Sequence, residues 1–128
     1  MADREKHMLG YTTIGTNDFE KATAFYDKLL AELGGKRVFA NERIQFYGSG
    51  AGGMLAVCKP YDEKTAAPGN GNMIALQAGS KEQVDKVYKM ALENGCSDEG
   101  APGQRLPTFY GAYFRDPDGN KICVFKMG

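Results

Sequence analysis

Along this chain the apolar positions follow two alternating patterns, a helical stripe and short β-branched or aromatic runs, and the same order of patterns occurs twice. Leu9 to Thr16 (LGYTTIGT) predicts a first strand with a turn-like exit. The stretch NDFEKATAFYDKLLAELGG then predicts an amphipathic helix. Asn17 and Glu20 have capping-box spacing, Ala22, Phe25, Tyr26, Leu29 and Leu33 share one face, and Gly34 and Gly35 end it. Lys36–Ala40 and Arg43–Tyr47 predict two short strands around Asn41 and Glu42, and Met54–Lys59 a third.

Tyr61 to Gly71 (YDEKTAAPGNG) mixes charge with Pro and Gly, has no period and reads as a link. The pattern then restarts. Asn72–Ala78 (NMIALQA) predicts a strand, Ser80 with Gln83 repeats the capping box, and Val84, Val87, Tyr88, Ala91 and Leu92 form a second stripe that Gly95 stops. Ser97–Pro107 (SDEGAPGQRLP) reads as a loop. Phe109 to Phe125 (FYGAYFRDPDGNKICVF) is a hairpin, its two strands joined by the turn residues Asp116 to Asn120.

An offset of 67 positions lays an earlier hairpin on this one, with Phe46 on Tyr113, Gly52 on Gly119 and Ala56 on Cys123. An offset of 62 lays Tyr11 on Met73, Ala22 on Val84 and Leu30 on Leu92. The difference between the offsets fits the long loop at Ser97–Pro107. Each half is therefore β-α-β-β-β, and neither buries both its helix and its sheet well alone. The expected organisation is one α+β domain of 128 residues: a first module over about 9–60, a link over 61–71 and a second module over about 72–127.

Composition removes several function classes. Lys plus Arg and Asp plus Glu are 16 each, so the formal net charge is zero. No general attraction to nucleic acid or to an anionic membrane follows. Cys58, Cys96 and Cys123 are odd in number with no CxxC, which points away from disulfides and structural zinc and toward a reducing cytoplasmic setting. Met1–Met8 is polar, without the apolar run of a signal peptide or a membrane span. A single histidine, His7, leaves no Ser-His-Asp set. Gly69–Asn72 (GNGN) precedes a strand and lacks the context of a phosphate loop.

TNDFEKATAFYDKLL, GNGNMIALQA with the capped helix after it, DEGAPG and above all FYGAYFRDPDGNKI make the chain resemble the vicinal oxygen chelate superfamily of glyoxalase I, bleomycin-resistance proteins and extradiol dioxygenases. The resemblance covers nearly the whole chain. It implies two βαβββ modules whose curled mixed sheets form a cup with ligands on the concave side. In metal-dependent members the first and last strand of each module carry His, Gln or Glu ligands; here those positions hold Tyr11, Ala56, Met73 and Cys123. None is an imidazole or a carboxylate, and soft sulfur donors suit copper(I) better than the usual family metals. No metal and no cofactor are expected.

The cup candidates are Tyr11, Phe46, Ala56, Met73, Tyr110, Tyr113 and Cys123, with aromatic rings as walls and hydroxyls as hydrogen-bonding handles. Strand alternation divides Tyr110 from Tyr113, so only part of that set faces inward. Cys123 reads as a buried small hydrophobe or, with a cation nearby, as a reactive thiol. Arg115, Asp116 and Asp118 belong to turn chemistry. Arg105 reads as solvated surface, or as a cation at the cup mouth for an anionic ligand. The functional expectation is a metal-free binder of a small apolar or aromatic molecule, working as a homodimer. The alternatives are a glyoxalase I-type lactoylglutathione lyase and a non-catalytic interaction subunit.

Overall fold

A computed structural model describes residues 7–128; most of the polar stretch Met1–Met8 lies outside them. The chain forms two compact units, one ending at Ala67 and one beginning at Pro68, a boundary inside the segment read as a link. In the first, β1 (Tyr11–Gly15), α1 (Phe19–Glu32), β2 (Lys36–Ala40), β3 (Ile44–Gly48) and β4 (Met54–Cys58) make a sheet ordered β1-β4-β3-β2. In the second, β5 (Ile74–Gln77), α2 (Lys81–Glu93), β6 (Ser97–Leu106), β7 (Phe109–Arg115) and β8 (Lys121–Met127) make a sheet ordered β5-β8-β7-β6. In each, the first strand runs parallel to the last and the other neighbours are antiparallel. The fold is α+β, two βαβββ modules with open mixed sheets.

The internal repeat is carried into the hydrogen-bond register. Phe46 stands opposite Ala56, and Tyr113 opposite Cys123, the same pairs that the offset of 67 superposes. Thr13 pairs with Ala56 and Ala75 with Cys123, as the offset of 62 for the first strand and 67 for the last together require.

Both helices stop in the same way. Gly35 N–H reaches Leu30 O at 2.7 Å and Gly34 N–H reaches Ala31 O at 3.1 Å; Cys96 N–H reaches Ala91 O at 3.0 Å and Gly95 N–H reaches Leu92 O at 3.5 Å. This Schellman geometry needs a left-handed residue after the last helical turn, and Gly34 (φ 83°) and Gly95 (φ 96°) supply it without a Cβ penalty. At its start α2 follows the capping box: Ser80 Oγ accepts from Gln83 N–H at 3.1 Å, and Gln83 Oε1 accepts from Gly79 N–H at 2.6 Å. In α1 the cap is Asp18, which accepts from Lys21 N–H at 3.1 Å, one residue later than the expected Asn17. Asn17 is used elsewhere. Its amide accepts from Ala66 N–H at 2.7 Å and donates to Ala66 O at 3.1 Å, tying the end of the unit back to the helix entry.

The helix stripes differ slightly from those expected. α1 buries Ala22, Thr23, Phe25, Tyr26, Leu29 and Leu30, with Leu33 displaced to the C-cap. α2 buries Val84, Val87 and Ala91, whereas Leu92 is exposed and Tyr88 half-buried, its hydroxyl donating to Asp98 at 2.8 Å. Each fully buried apolar side chain stabilises by about 1.5–3 kcal/mol, so in each module the sheet-facing stripe holds the helix on its own sheet.

Two further boundaries are corrected. Ser97–Leu106, expected as a loop, is the strand β6. It lies at the sheet edge, where Pro102 breaks no inner ladder, and it meets β7 through register shifts around Gly100 and Gly103 that absorb the turn-like composition. β5 begins at Ile74, which leaves Met73 outside the ladder. The hairpin turn is built as expected: Asp116 Oδ1 accepts from the N–H groups of Asp118 and Asn120, both at 2.9 Å, and Arg115 donates to Gly119 O at 2.9 Å.

Candidate functional site on the helix-free sheet faces

Side-chain alternation gives each sheet one face under its helix and one free of it. In module 1 Tyr47 marks the helix side, since its hydroxyl donates to Thr23 O at 3.0 Å and to Asp27 Oδ1 at 2.9 Å. Burial first, then the bond to Asp27, pushes the Tyr47 phenol far up. Arg37, bonded through Nε to Asp27 Oδ1 at 2.8 Å, holds that carboxylate below its ordinary range.

The opposite face of module 1 carries Ile44, Ala56 and Cys58 as a small buried cluster with Phe46 packed on it. Tyr11 meets Phe46 edge-on with ring centroids 4.8 Å apart, and Phe39 meets Phe46 at 5.9 Å. Tyr11 is 55% and Phe39 58% exposed, so two rings stand open around a half-buried third.

In module 2 Tyr110 marks the helix side: its hydroxyl donates to Asp85 Oδ1 of α2 at 2.6 Å. Tyr110 therefore leaves the set of cup candidates, because the alternation that brings Tyr113 to the free face turns Tyr110 away from it. On the free face Phe109 and Phe125 stack at 5.2 Å with planes 13° apart. Tyr113 stands opposite Cys123 and is hydrogen-bonded to its thiol. Two cations approach the Tyr113 ring, Arg105 Cζ at 5.4 Å from the centroid and Lys121 Nζ at 5.7 Å.

Cys123 is fully buried, and burial pushes its thiol up. The bond to Tyr113 and the charges of Arg105 and Lys121 pull it down without overcoming burial. Burial, and then Asp116, pushes Cys96 up to about 12. Cys123 is thus a neutral thiol at pH 7 in the floor of the face, which favours its reading as a small buried hydrophobe.

The four positions that the family resemblance assigns to metal ligands do not fit a divalent ion. Ala56 has no donor and is fully buried, Cys123 is a protonated thiol already bonded to Tyr113, Met73 precedes β5 and is 44% exposed, and Tyr11 offers one phenol. No group of three His, Cys, Asp or Glu side chains among the described residues is placed to hold an ion. Elsewhere in module 1 a cleft of about 680 Å³ is lined by Glu42, Arg43, Lys59, Pro60, Tyr61 and Glu63. Its two cations and two carboxylates offset one another.

Sequence reasoning placed Tyr11, Phe46 and Tyr113 among the cup candidates and omitted Phe39, Phe109 and Phe125, which share their faces. It also left Arg105 and Lys121 apart from Tyr113. The available signal was the alternation within FYGAYFR, which places Phe109 with Tyr113, and the position of Lys121 two residues before Cys123.

The family model of the Glyoxalase/Bleomycin resistance protein/Dioxygenase superfamily matches residues 8–124, and the chain belongs to that superfamily. A crystal structure of a glyoxalase/bleomycin resistance protein from Albidiferax ferrireducens T118 is 38% identical, with a TM-score of 0.87 over 94% of this chain and 99% of that one. A family enzyme from Burkholderia phytofirmans PsJN shares 20% identity with a TM-score of 0.77, covering 94% and 98%. Lactoylglutathione lyase from Agrobacterium tumefaciens shares 20% with a TM-score of 0.68, covering 92% of each chain. At 20% these two likenesses show the fold. No curated protein matches the chain. No helix among the described residues is long and apolar enough to cross a membrane.

Proposed function

We propose that the protein binds a small apolar or aromatic molecule on the helix-free faces of its sheets, without a metal ion, as a homodimer in the cytoplasm. The observation that carries this reading is the pairing of exposed and half-buried rings with absent metal donors: exposed Tyr11 and Phe39 around Phe46 in one module, and half-buried Phe109 on Phe125 beside Tyr113 in the other. Open aromatic surface of this kind is worth covering with a flat apolar ligand. A lyase of glyoxalase I type needs a Lewis acid, and the residues at the ligand positions do not supply its donors. An interaction subunit would use exposed rings as well, and a ligand-induced thermal shift separates it from a small-molecule binder.

The open strands β1, β2, β5 and β6 at the sheet edges support association, since unpaired backbone groups are covered when edges meet a partner. Light scattering is expected to give twice the 13.9 kDa of one chain; that of a single chain at high micromolar concentration contradicts the dimer.

Binding is tested by a ligand screen read by thermal shift, with elemental analysis of untagged protein alongside. The expected result is stabilisation by neutral aromatic compounds and no stoichiometric metal. One tightly held nickel, zinc, iron or manganese ion per chain, lost when Tyr11 and Cys123 are both replaced, overturns the metal-free reading.

A further inference from the structure

On the helix-free face of module 2 the charges do not balance. Glu99 lies 3.5 Å from Arg115 Nε and 3.9 Å from Lys121 Nζ, so one carboxylate is shared between two cations. Arg105 has no carboxylate partner among the described residues. It donates from Nη2 to Ala101 O at 2.5 Å and is hydrogen-bonded to the Tyr113 hydroxyl, neither of them a charged acceptor, and donors of its planar fork remain for a carboxylate.

Nor is Arg105 a waving surface side chain. It folds back on its own strand, over two residues that have no Cβ. A Cβ at Gly103 would lie 2.7 Å from Arg105 Nη1, and one at Gly100 would lie 3.3 Å from Nη2 and 3.0 Å from Tyr113 Cδ1. The two glycines and the irregular register of β6 thus form a bed that lays the guanidinium beside the Tyr113 ring. A guanidinium fixed in this way has already lost much of the rotamer freedom that binding an anion would otherwise take from it. The field reaches the floor as well, since both Arg105 and Lys121 act on Cys123. Next to the cations lies apolar surface: Phe125 stands opposite Gly111, one ladder step from the Tyr113–Cys123 pair, and stacks on Phe109.

We propose that Arg105 and Lys121, flanking Tyr113 above Cys123, form an anion-binding subsite that receives the carboxylate of a flat, otherwise apolar ligand whose body lies on Phe109 and Phe125. This rests on the small-molecule-binding reading and narrows its ligand class to aromatic carboxylates. The guanidinium presents paired donors to the two carboxylate oxygens, and the lysine adds a point charge that it now shares with Glu99.

The test compares 2-naphthoate with its neutral isostere 2-naphthamide, using the full chain and following tyrosine and backbone resonances by NMR titration. The expected result is about tenfold tighter binding of the carboxylate, with the largest shifts at Tyr113 and Phe125. Arg105→Gln is expected to remove that preference, bringing the affinity for 2-naphthoate down to that for the amide measured on the same variant, and Lys121→Gln to weaken it partly. Raising the salt concentration should narrow the gap between the two probes in the wild type and have no gap to narrow in Arg105→Gln. Equal affinities for the two probes in the wild type, or a preference that survives Arg105→Gln in a variant with a wild-type spectrum, overturn the subsite and leave the apolar binding face standing. If neither probe shifts any resonance of either helix-free face at millimolar concentration, the subsite and the broader binding reading fall together.

Discussion

The two modules repeat one another on the side of the sheet that faces the helix and diverge on the side that does not. Under the helices equivalent positions are buried in both, Phe25 with Val87, Tyr47 with Phe114, Leu55 with Ile122 and Val57 with Val124, and each module also bonds a strand tyrosine to a helix aspartate at positions of its own, Tyr47 to Asp27 and Tyr110 to Asp85. On the free faces module 1 has an uncharged ring cluster around Phe46, whereas module 2 has rings accompanied by Arg105, Lys121, Arg115 and Glu99. Packing constrains the first side tightly, because a helix stripe and a sheet must fill one another's gaps. The second side has only the alternation of the strands to satisfy, and it is there that two copies of a module can take on different chemistry.

The largest test of this division sets Phe114 against Phe46. Phe114 is fully buried under α2, while Phe46 is half-buried on the free face of module 1. Phe114→Ala is expected to cost about 3–5 kcal/mol as a core deletion. Phe46→Ala, with part of its ring already in water, is expected to cost clearly less while loosening the Tyr11 and Phe39 contacts. Urea titrations of both variants measure the gap; similar losses would mean that the free face is as much core as the helix side.

A smaller effect is expected within the helix side. Asp27 joins Tyr47, which is 2% exposed, to Arg37, and Asp27→Asn should cost about 1 kcal/mol at pH 7 by weakening both bonds. The sign of the pH dependence follows from the depressed carboxylate. Stability contributed by a group whose folded pKa is lowered is present above its unfolded value, here 3.8, and is lost as pH falls through the folded value. The difference between wild type and variant should therefore hold steady from neutral pH to about pH 5 and close below pH 4. Because Asp27 and Arg37 are substantially exposed, added salt should narrow it. A gap that widens on acidification would contradict the assignment.

The same division explains what could be read before the structure was known. The helices, the repeat and the final hairpin are local: stripes of period 3.6, turn residues at Asp116 to Asn120, and glycines just past each stripe. β6 was hidden because Gly100, Pro102 and Gly103 are turn residues by composition, and only their pairing with β7 makes them a strand. The cap at Asp18 was hidden for a similar reason, since Asn17 is diverted to Ala66, far along the chain. Tyr88 and Leu92 fell on the helical face by spacing but lie at its margin, where Asp98 takes the Tyr88 hydroxyl. At the candidate site the rings were visible as residue types, whereas the setting of Arg105 depends on which glycines its side chain crosses, a contact that periodicity does not encode.

The smallest expected effect on stability is at Tyr11. Its ring is 55% exposed and meets Phe46 edge-on, and its hydroxyl makes no hydrogen bond among the described residues. Surface substitutions without buried partners usually change stability by no more than about 0.5 kcal/mol, and the loss of one aromatic pair adds about as much again. Tyr11→Ala should therefore shift the urea midpoint only slightly. If module 1 contributes its ring cluster to ligand binding, the same variant should nevertheless lose affinity for neutral aromatic probes such as 2-naphthamide. The affinity for 2-naphthoate at Tyr113 and Phe125, set by module 2, should stay unchanged. The two readouts separate the faces: weaker binding of 2-naphthoate in Tyr11→Ala would contradict independent faces, and an unchanged amide affinity would remove module 1 from binding altogether.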